Sequence, residues 1–487
     1  MKFGLPENTI ESIQKIFEQN SKLDEVLVFG SRAKGNYRPD SDIDFALKGR
    51  NISLDDILRL SGKIDELNLH YKIDLIDYNT ITEKDLVEHI DRVGISFYKR
   101  WKEYKLGSIA NYINRGISPK YVGENGIPVI NQKCIRNGIV SKDHLKYHDS
   151  SKKFAQEKRL RDMDILINST GVGTAGRVGF FLEKDLFLVD SHVSIVRLNQ
   201  AVVNPKFVFY NLRKKEEEIE NYAEGSTGQI ELGRDRIRDI DILIPPLQEQ
   251  NTITEILSSL DDKLDLLHRQ NKTLEQLAET LFKQWFVEEA EESWEAATIS
   301  DVADHLKESV SPSKQPNIFF NHYSLPAFDE NRTSIKEIGK EILSNKYKVA
   351  PNSILVSKLN PRFPRIWPLY GNVDDNSICS TEFQIVKPKQ RSWFGFIYCF
   401  LISNQVMQEL TNASGGTSGS HQRVNPDDIF NLSFSLPSNE LIERFDTITK
   451  QYWIKIKSNY NQIKNLTQLR DNLLPKLMSG EVRVEMN

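Results

Sequence analysis

Residues 30–44 read GSRAKGNYRPDSDID and directly follow the apolar run EVLVF. The apolar run predicts a buried strand that ends at Gly30. The SDIDFAL segment predicts a second strand with alternating faces, joined to the first by a turn and a short polar segment. Because strand side chains alternate with a period of two, Asp42 and Asp44 are expected on the same face. Two carboxylates on one face repel each other unless a cation lies between them, so the stretch predicts a cation site.

A third carboxylate comes from the segment YKIDLIDY, which predicts another strand. Asp74 lies between two apolar residues of that strand, as expected for a face that turns back towards the pair. Asp77 is the weaker candidate, because its odd offset from Asp74 puts it on the opposite face. Magnesium takes carboxylate oxygens and shares its other positions with phosphates, and the Gly30–Ser31 pair allows backbone amides to approach a triphosphate. A lone Asp-x-Asp would more often be a polar hairpin with solvated aspartates, but the combination favours the nucleotide site.

This combination resembles the minimal nucleotidyltransferases of the DNA polymerase beta superfamily, over residues 1–97. The resemblance implies that two Mg²⁺ ions are held for in-line attack on a nucleoside triphosphate. The metal ligands and catalytic residues that it implies are Asp42, Asp44 and Asp74. The residues that it places at the triphosphate are Gly30, Ser31 and Arg32. The sequence names no acceptor for the nucleotide.

Length and composition limit what the remaining residues can be. A chain of 487 residues predicts about three domains, and none of its apolar runs approaches the length of a membrane span. No basic amino-terminal region precedes an apolar stretch, so no secretion signal is expected. The three cysteines form no CxxC pair, which disfavours a disulfide framework and fits a reducing cytoplasm. A net charge of −4 means that any nucleic-acid site must be a local basic face.

Past Trp101 the chain repeats itself after about 192 residues. WKEYKLGSIA from Trp101 returns as WEAATISDVA from Trp294, and DILINS returns as SILVSK. SHVSIVRL returns as TEFQIVKP, and IDILIPP returns as LSFSLPS. Each copy contains short β-like runs with Gly and Asn turns, followed by one long helical stretch.

The two helical stretches carry matching heptad patterns, with a few polar interruptions suited to setting the register. The first series is Ile253, Leu257, Leu260, Leu264, Leu267, Asn271, Leu274, Ala278, Leu281 and Trp285. The second series is Phe445, Thr449, Tyr452, Ile456, Asn459, Ile463, Leu466, Arg470, Leu473 and Leu477. A solitary amphipathic helix more often packs on a core, but two at one fixed offset favour pairing with each other. An antiparallel pair would relate the two copies by a pseudo-two-fold axis, which suits a DNA target with two separated half-sites.

Residues 101–487 closely resemble the specificity subunit of type I restriction–modification systems. The resemblance rests on GSTGQIELGRDRIRDIDILIPPLQEQNTI from Gly225, SKLNPR from Ser357, LRDNLLPKLMSGEV near the carboxyl end, and the repeated organisation. The second copy departs from the first at GGTSGSHQRVNPDDI and LPSNELIERF. The resemblance implies two target-recognition domains, separated by helices that dock two methyltransferase subunits, in a complex with restriction and motor subunits.

The predicted fold class is therefore a multidomain α+β protein whose two long helices pair as an antiparallel coiled coil. Its predicted parts are a small α/β nucleotidyltransferase-like domain at 1–97, a first target-recognition domain at 101–246, a first spacer helix at 247–287, a second target-recognition domain at 294–438 and a second spacer helix at 439–480.

Contacts to duplex DNA need Lys or Arg for phosphates and Arg, Asn, Gln or Ser for base edges. Any one such loop residue is more often only solvated. The candidates are Arg177, Thr227, Gln229, Lys358, Arg362, Arg365, His421, Gln422 and Arg423.

These patterns predict a cytoplasmic DNA-specificity subunit that binds double-stranded DNA and carries a fused nucleotidyltransferase domain. The sequence has neither a GxxxxGK[ST] loop nor an HExxH pair, so methylation and cleavage are expected from partner chains. One alternative is a nucleotidyltransferase that modifies a partner or toxin protein and uses the DNA-binding part as a targeting module. Another is an opening domain that has lost its activity and only mediates contacts, which the intact Asp42, Asp44 and Asp74 disfavour.

Overall fold

The computed structural model describes residues 3–225, 230–414, 422–482 and 484. The chain divides into two compact units, residues 1–259 with 470–487 and residues 260–469. Among the described residues, no helix is long and apolar enough to cross a membrane.

The amino-terminal domain, residues 3–99, is one mixed sheet packed with helices. Its helices are Glu7–Glu18, Gly30–Lys34, Leu54–Asp65 and Lys84–Val93. Its strands, in sheet order, are Ile73–Asp77, Ile43–Gly49, Leu23–Phe29 and Ile95–Lys99.

The core of this domain follows from the periodicity of its first helix. Ile10, Ile13 and Phe17 recur at helical spacing and are all buried. Phe17 packs edge-on against Phe45 of the neighbouring strand, with 5.3 Å between ring centroids. The packing fixes which face of each strand is buried, and so fixes which side chains emerge at the strand ends.

The first globule, residues 101–246, contains a four-stranded antiparallel sheet. Its order is Val178–Phe180, Ile165–Asn168, Val193–Leu198 and Ala110–Arg115. The other strands are Lys102–Lys105, Tyr121–Val122, Ile127–Ile130, Ile135–Arg136, Ile139–Val140, Lys146–His148, Leu188–Val189 and Asp241–Ile244. The helices are Leu106–Ile109, Pro205–Lys214, Glu216–Asn221 and Arg234–Arg238, with 3₁₀ turns at Gln132–Cys134 and Gln156–Lys158.

The second globule, residues 294–438, repeats this sheet with the same strand order. The order is Ile366–Leu369, Ser353–Ser357, Phe383–Pro388 and Ala303–Leu306. The other strands are Ala296–Thr298, Ser309–Val310, Phe319–Tyr323, Ile335–Ile338, Lys346–Lys348, Ser377–Cys379 and Ser433–Ser435. The helices are Ile299–Val302, Leu325–Asn331, Trp393–Ile402, Asn404–Ala413 and Pro426–Phe430, with 3₁₀ turns at Pro312–Lys314 and Gly339–Glu341.

The repeat seen in the sequence is therefore a repeat of structure. DILINS and SILVSK both form the second strand of this order, and SHVSIVRL and TEFQIVKP both contribute the third. The strands Asp241–Ile244 and Ser433–Ser435 also correspond, since each pairs antiparallel with the strand that opens its globule.

A long helix follows each globule: Leu247–Lys283, which continues as a π-helical segment Gln284–Glu288, and Asn439–Ser479. Within the unit 260–469 the two helices run antiparallel. Leu264 and Leu267 share a buried cluster with Ile463, and Asn459 Nδ2 donates to Asn271 Oδ1 at 2.8 Å. As residue numbers rise along the first helix, the residues that they contact on the second helix have falling numbers. The predicted antiparallel pairing is confirmed.

Candidate functional site

Two of the three predicted carboxylates lie side by side on neighbouring strands. Strands Ile43–Gly49 and Ile73–Asp77 are parallel, and Asp44 is in register with Asp74. Asp42 lies one residue before the first of these strands, where its side chain is exposed. The structure thus brings the carboxylates to one end of the sheet, at the point where the strand before Gly30 ends.

Gly30 opens a short helix rather than the turn that the sequence predicts, and its backbone has a positive φ of 72°. A Cβ atom at Gly30 would overlap Asp44 Oδ2. Only glycine therefore permits both this left-handed conformation and the close approach of the helix start to the carboxylate. Ser31 follows in the first turn of the same helix, where it is partly exposed.

The carboxylates affect each other's charge. Burial, and then the negative charges of Asp74 and Asp42, raise the pKa of Asp44 above its ordinary value. Lys72 acts in the opposite direction: its Nζ lies 2.9 Å from Asp74 Oδ1. The hydrogen bond to Asp74 and the charges of all three aspartates raise the pKa of Lys72. Sequence reasoning missed this residue, although it stands only two positions before Asp74.

The donor chemistry fits a hard divalent ion, because the neighbouring groups are carboxylates at a glycine-bounded strand end. Among the described residues, however, no group of three or more His, Cys, Asp and Glu side chains converges into a metal-binding set. Lys72 engages the carboxylate of Asp74 in an ion pair. A metal ion bound at this end of the sheet would share the Asp74 carboxylate with Lys72.

Arg32, which the resemblance places at the triphosphate, has a side chain held by other groups of the amino-terminal domain. Its side chain is buried, and its guanidinium donates to the carbonyls of Phe3, Ser41 and Asp42 at 2.7–3.2 Å. The guanidinium also lies 4.5 Å from the ring centroid of Tyr71, as a cation–π contact. Arg32 therefore holds the loop that carries Asp42, and its contact with a triphosphate stays a prediction.

The weaker candidate Asp77 has a structural role. Its side chain is buried and accepts from the backbone N–H of Asn79 at 3.0 Å, which caps the 3₁₀ turn Tyr78–Thr80.

A second site candidate is a crossing of three backbone segments in the first globule. Ser169 N–H donates to the carbonyl of His192 at 2.8 Å, and Leu232 N–H donates to the carbonyl of Ser169 at 2.8 Å. Gly171 N–H donates to the carbonyl of Ile230 at 3.3 Å. We call His192 with residues 169–171 and 230–232 the first crossing.

The second globule builds the same pattern. Lys358 N–H donates to the carbonyl of Glu382 at 2.8 Å, and Val424 N–H donates to the carbonyl of Lys358 at 3.0 Å. Asn360 N–H donates to the carbonyl of Gln422 at 2.9 Å. We call Glu382 with residues 358–360 and 422–424 the second crossing. Each crossing joins segments that are distant in the sequence.

The predicted DNA-contact residues differ in whether other protein groups already bind their side chains. Arg365 is held by Asp329 through two contacts, Nε to Oδ1 at 2.7 Å and Nη2 to Oδ2 at 2.8 Å. Arg177 donates from Nη2 to the carbonyl of Gly173 at 2.7 Å, and Arg362 is exposed. Three further candidates, Thr227, Gln229 and His421, lie outside the described residues.

In the second crossing the predicted contacts meet a residue that sequence reasoning missed. Arg423 Nη2 lies 2.9 Å from Glu382 Oε1. Gln422 lies beside it, and its Oε1 is buried with no hydrogen-bond partner within the described ranges. The side chain of Lys358 is half-buried. The only signal for Glu382 in the sequence was its place in TEFQIVKP, where SHVSIVRL has His192.

Comparison with known proteins agrees with both parts of this architecture. Residues 98–276 match the family model for the type I restriction modification DNA specificity domain, and residues 11–103 match the polymerase beta nucleotidyltransferase model. The chain is 27% identical over 314 residues to the type I restriction enzyme MjaIX specificity subunit of Methanocaldococcus jannaschii, covering 58% of this chain and 69% of that protein. It is 24% identical over 474 residues to the HindI specificity subunit of Haemophilus influenzae, covering 78% of this chain and 99% of that protein.

A solved structure, that of the S subunit of a type I restriction–modification system from M. genitalium, aligns with a TM-score of 0.47 and 16% identity, covering 80% of this chain and 97% of that one. The two family models support these assignments separately. The specificity model covers the first globule and most of the first long helix, and the nucleotidyltransferase model covers most of the amino-terminal domain. The chain therefore carries a type I restriction modification DNA specificity domain over residues 98–276, preceded by a nucleotidyltransferase domain of the polymerase beta class over residues 11–103.

Proposed function

We propose that this chain is the DNA-specificity subunit of a type I restriction–modification complex, which recognises a bipartite duplex target and docks methyltransferase subunits. The observation that carries the proposal is the pair of crossings: one hydrogen-bonded framework, built twice, with unlike side chains. A framework repeated with different surfaces suits a target with two unlike half-sites. A single contiguous site would not need the second copy.

The pairing of the two long helices also supports a bipartite target. Each starts directly after a globule, and in the unit 260–469 they pair through a buried seam that includes Asn271 and Asn459. A paired helical segment is stiff, with a rise of about 1.5 Å per residue, so it is suited to setting a fixed separation between half-sites. Methylation, and cleavage by restriction and motor subunits, are assigned to partner chains.

The proposal is tested by methylome sequencing of cells that carry this chain with its methyltransferase subunits. A split motif with an unspecified spacer is expected, and it should disappear when this chain alone is deleted. A single contiguous motif, or an unchanged methylome after the deletion, would contradict the proposal. We also propose a cytoplasmic location, consistent with three buried free thiols at Cys134, Cys379 and Cys399.

A second function is favoured for the amino-terminal domain by the Asp44–Asp74 register and the glycine beside it. We propose that Asp42, Asp44 and Asp74 hold Mg²⁺, and that Gly30 and Ser31 face the phosphates of a nucleoside triphosphate. The ions, when bound, would neutralise charge on the phosphates. The acceptor would be a partner or toxin protein, in line with the alternative in which the specificity part serves for targeting.

Incubation of the assembled complex with α-labelled triphosphates and Mg²⁺ tests this second function. Transfer of label to a protein is expected from the wild type and not from Asp44→Asn, while the split DNA motif stays the same in both. Transfer that persists in Asp44→Asn would rule out the assignment. A wild type that neither transfers label nor binds triphosphate would favour a domain that only mediates contacts.

A further inference from the structure

The two crossings place different side chains at equivalent positions. The hydrogen bond from Ser169 to His192 and that from Lys358 to Glu382 have the same atoms and the same 2.8 Å length, so positions 192 and 382 correspond. Thr170 bridges to Glu231 in the first crossing, and Leu359 bridges to Arg423 in the second, so positions 231 and 423 correspond.

The chemistry at these positions differs between the globules. In the first crossing Thr170 Oγ1 lies 2.8 Å from His192 Nδ1 and 3.3 Å from Gln132 Oε1, and Glu231 Oε1 lies 2.7 Å from Arg115 Nη2. In the second crossing, Arg423 and Glu382 form an ion pair. The two globules thus have the same backbone hydrogen bonds but different polar side chains at equivalent positions. Such an arrangement is suited to binding two different base sequences in one docking geometry.

Arg423 has the exposure and the free donors that base reading requires. Its side chain is 62% exposed, against 26% for its partner Glu382. A guanidinium carries five N–H donors, so the contact with Glu382 leaves donors that face solvent. Guanine presents two acceptors, O6 and N7, in the major groove and is the usual bidentate partner of arginine.

Glu382 is suited to orienting that guanidinium. Oε1 accepts from Arg423, and Oε2 is buried with no hydrogen-bond partner in the described ranges. The second oxygen can accept from the same guanidinium when it turns, so the ion pair survives reorientation. Arg365 differs in this respect, because Asp329 holds its Nε and Nη2 through both carboxylate oxygens and only 20% of its side chain is exposed.

We propose that Arg423 reads a guanine in the half-site bound by the second globule, with Glu382 as its positioning residue, and that His192, at the position equivalent to Glu382, acts in the same way on the recognition of the other half-site. This inference rests on the proposed DNA-specificity function and names the residues through which that function chooses its target.

The test is selection from a randomised duplex library by the complex of this chain with its methyltransferase subunits. Wild type should select a guanine in one half-site, and Arg423→Gln should reduce the preference for it by about 5- to 150-fold, the value of one bidentate base contact. Glu382→Gln should reduce the same preference by less, since the arginine remains but is less firmly held. His192→Ala should change only the other half-site.

Arg362→Gln is the matched control, because it also removes an exposed arginine from the second globule. It should lower affinity evenly and leave the selected bases unchanged, as loss of a phosphate contact does. Unchanged bases in Arg423→Gln, or changes by Arg423→Gln and His192→Ala in the same half-site, would overturn the inference while leaving a split motif intact. Selection of no split motif by the wild type would instead refute the proposed function.

Discussion

Arg100 Nε lies 2.6 Å from Glu249 Oε2, and both side chains are almost completely buried, with 1% and 2% exposed. Arg100 directly follows the last strand of the amino-terminal domain, and its backbone N–H donates to the carbonyl of Asp24 at 3.0 Å. Glu249 lies in the first turn of the first long helix and also accepts from Trp101 Nε1 at 3.4 Å. The ion pair therefore fastens the amino-terminal domain to the start of this helix.

Removing one partner of this pair should be costly. Arg100→Met would leave the Glu249 carboxylate buried without its counter-charge, and we expect a loss of about 3–5 kcal/mol in the free energy of unfolding. Urea denaturation of the full-length chain measures it. Adding Glu249→Gln to Arg100→Met should recover part of the loss, because the unpaired charge is then absent.

The matched control is Lys105→Met, which removes an ion pair of equal length at the surface. Lys105 Nζ lies 2.6 Å from Asp241 Oδ1, but the two side chains are 55% and 43% exposed. Solvent screens such a pair, so the loss should be much smaller than that of Arg100→Met. Similar losses in Lys105→Met and Arg100→Met would mean that burial does not set the strength of the Arg100 pair.

The polar pair in the helix seam offers a test of register. Asn271 and Asn459 are buried and joined by a 2.8 Å hydrogen bond. Asn459→Leu should destabilise the protein by about 1–3 kcal/mol, because it leaves the Asn271 amide without this partner. Changing both residues to Leu should restore or increase stability, at the expense of a unique register. Thermal denaturation checks this, with the exposed Lys455→Leu as control.

The sequence predicted this seam well near its middle and less well at its ends. Leu264, Leu267, Asn459 and Ile463 are buried as the heptads require. At the end of the first helix the buried residues are Phe282 and Phe286 rather than Leu281 and Trp285. There the helix packs on aromatic residues of the second globule and continues as a π-helical segment, so its buried face is no longer set by the partner helix alone.

The candidate sites, like the helix seam, were predicted only in part. Period-two alternation and the terminal glycine were enough to place Asp44 beside Asp74. Neither pattern shows which atoms a long side chain contacts, so the burial of Arg32 and the ion pair of Lys72 were missed. His192 and Glu382 were missed for another reason: each meets its loop only through pairing of segments that are distant in sequence.

The carboxylate of Asp56 should give a measurable pH dependence. Lys22 Nζ lies 2.5 Å from Asp56 Oδ2, and the Ser53 backbone N–H donates to the same oxygen at 2.8 Å. The hydrogen bond from Lys22, then that from the Ser53 hydroxyl at 2.6 Å and then that from the Ser53 backbone lower the pKa of Asp56 from 3.8 to about 2. Since the folded pKa is depressed, the stabilisation is fully present above the unfolded pKa and is lost as pH falls towards the folded one.

We therefore expect the difference in unfolding free energy between wild type and Asp56→Asn to be constant above about pH 5 and to shrink between about pH 4 and pH 2. Urea denaturation across that range measures it. The exposed Asp55→Asn, in the same first turn of helix Leu54–Asp65, is the control and should show a smaller change. A difference that grows as pH falls would have the wrong sign for this mechanism.

Shortening both long helices should alter the spacing of the DNA target. The Asn271–Asn459 pair sets the register, so residues 261–267 face residues 463–469. Deleting both segments removes one heptad from each helix, or about 10 Å, which corresponds to about three base pairs. Methylome sequencing should show the same half-sites with a shorter spacer. Altered half-sites with an unchanged spacer would show that the helices do not set the separation.

Gly30 and Gly35 provide a matched pair for testing the carboxylate site. Both have left-handed backbones, with φ of 72° and 75°. A Cβ atom at Gly35 would meet nothing within 4 Å, whereas one at Gly30 would overlap Asp44 Oδ2. Alanine at either position should lose about 1–2 kcal/mol of stability from the unfavourable backbone conformation. Only Gly30→Ala should also displace the Asp44 carboxylate.

Calorimetric titration with Mn²⁺ and a non-hydrolysable triphosphate analogue separates the two effects. Gly35→Ala should bind like the wild type, while Gly30→Ala should bind at least about tenfold more weakly, equivalent to about 1.4 kcal/mol. Since both variants carry the same backbone strain, a difference in binding reports on the carboxylate and not on general destabilisation. Equal binding by the two variants would place the nucleotide away from Asp44, and the assignment of Gly30 and Asp44 to one site would then have to be abandoned.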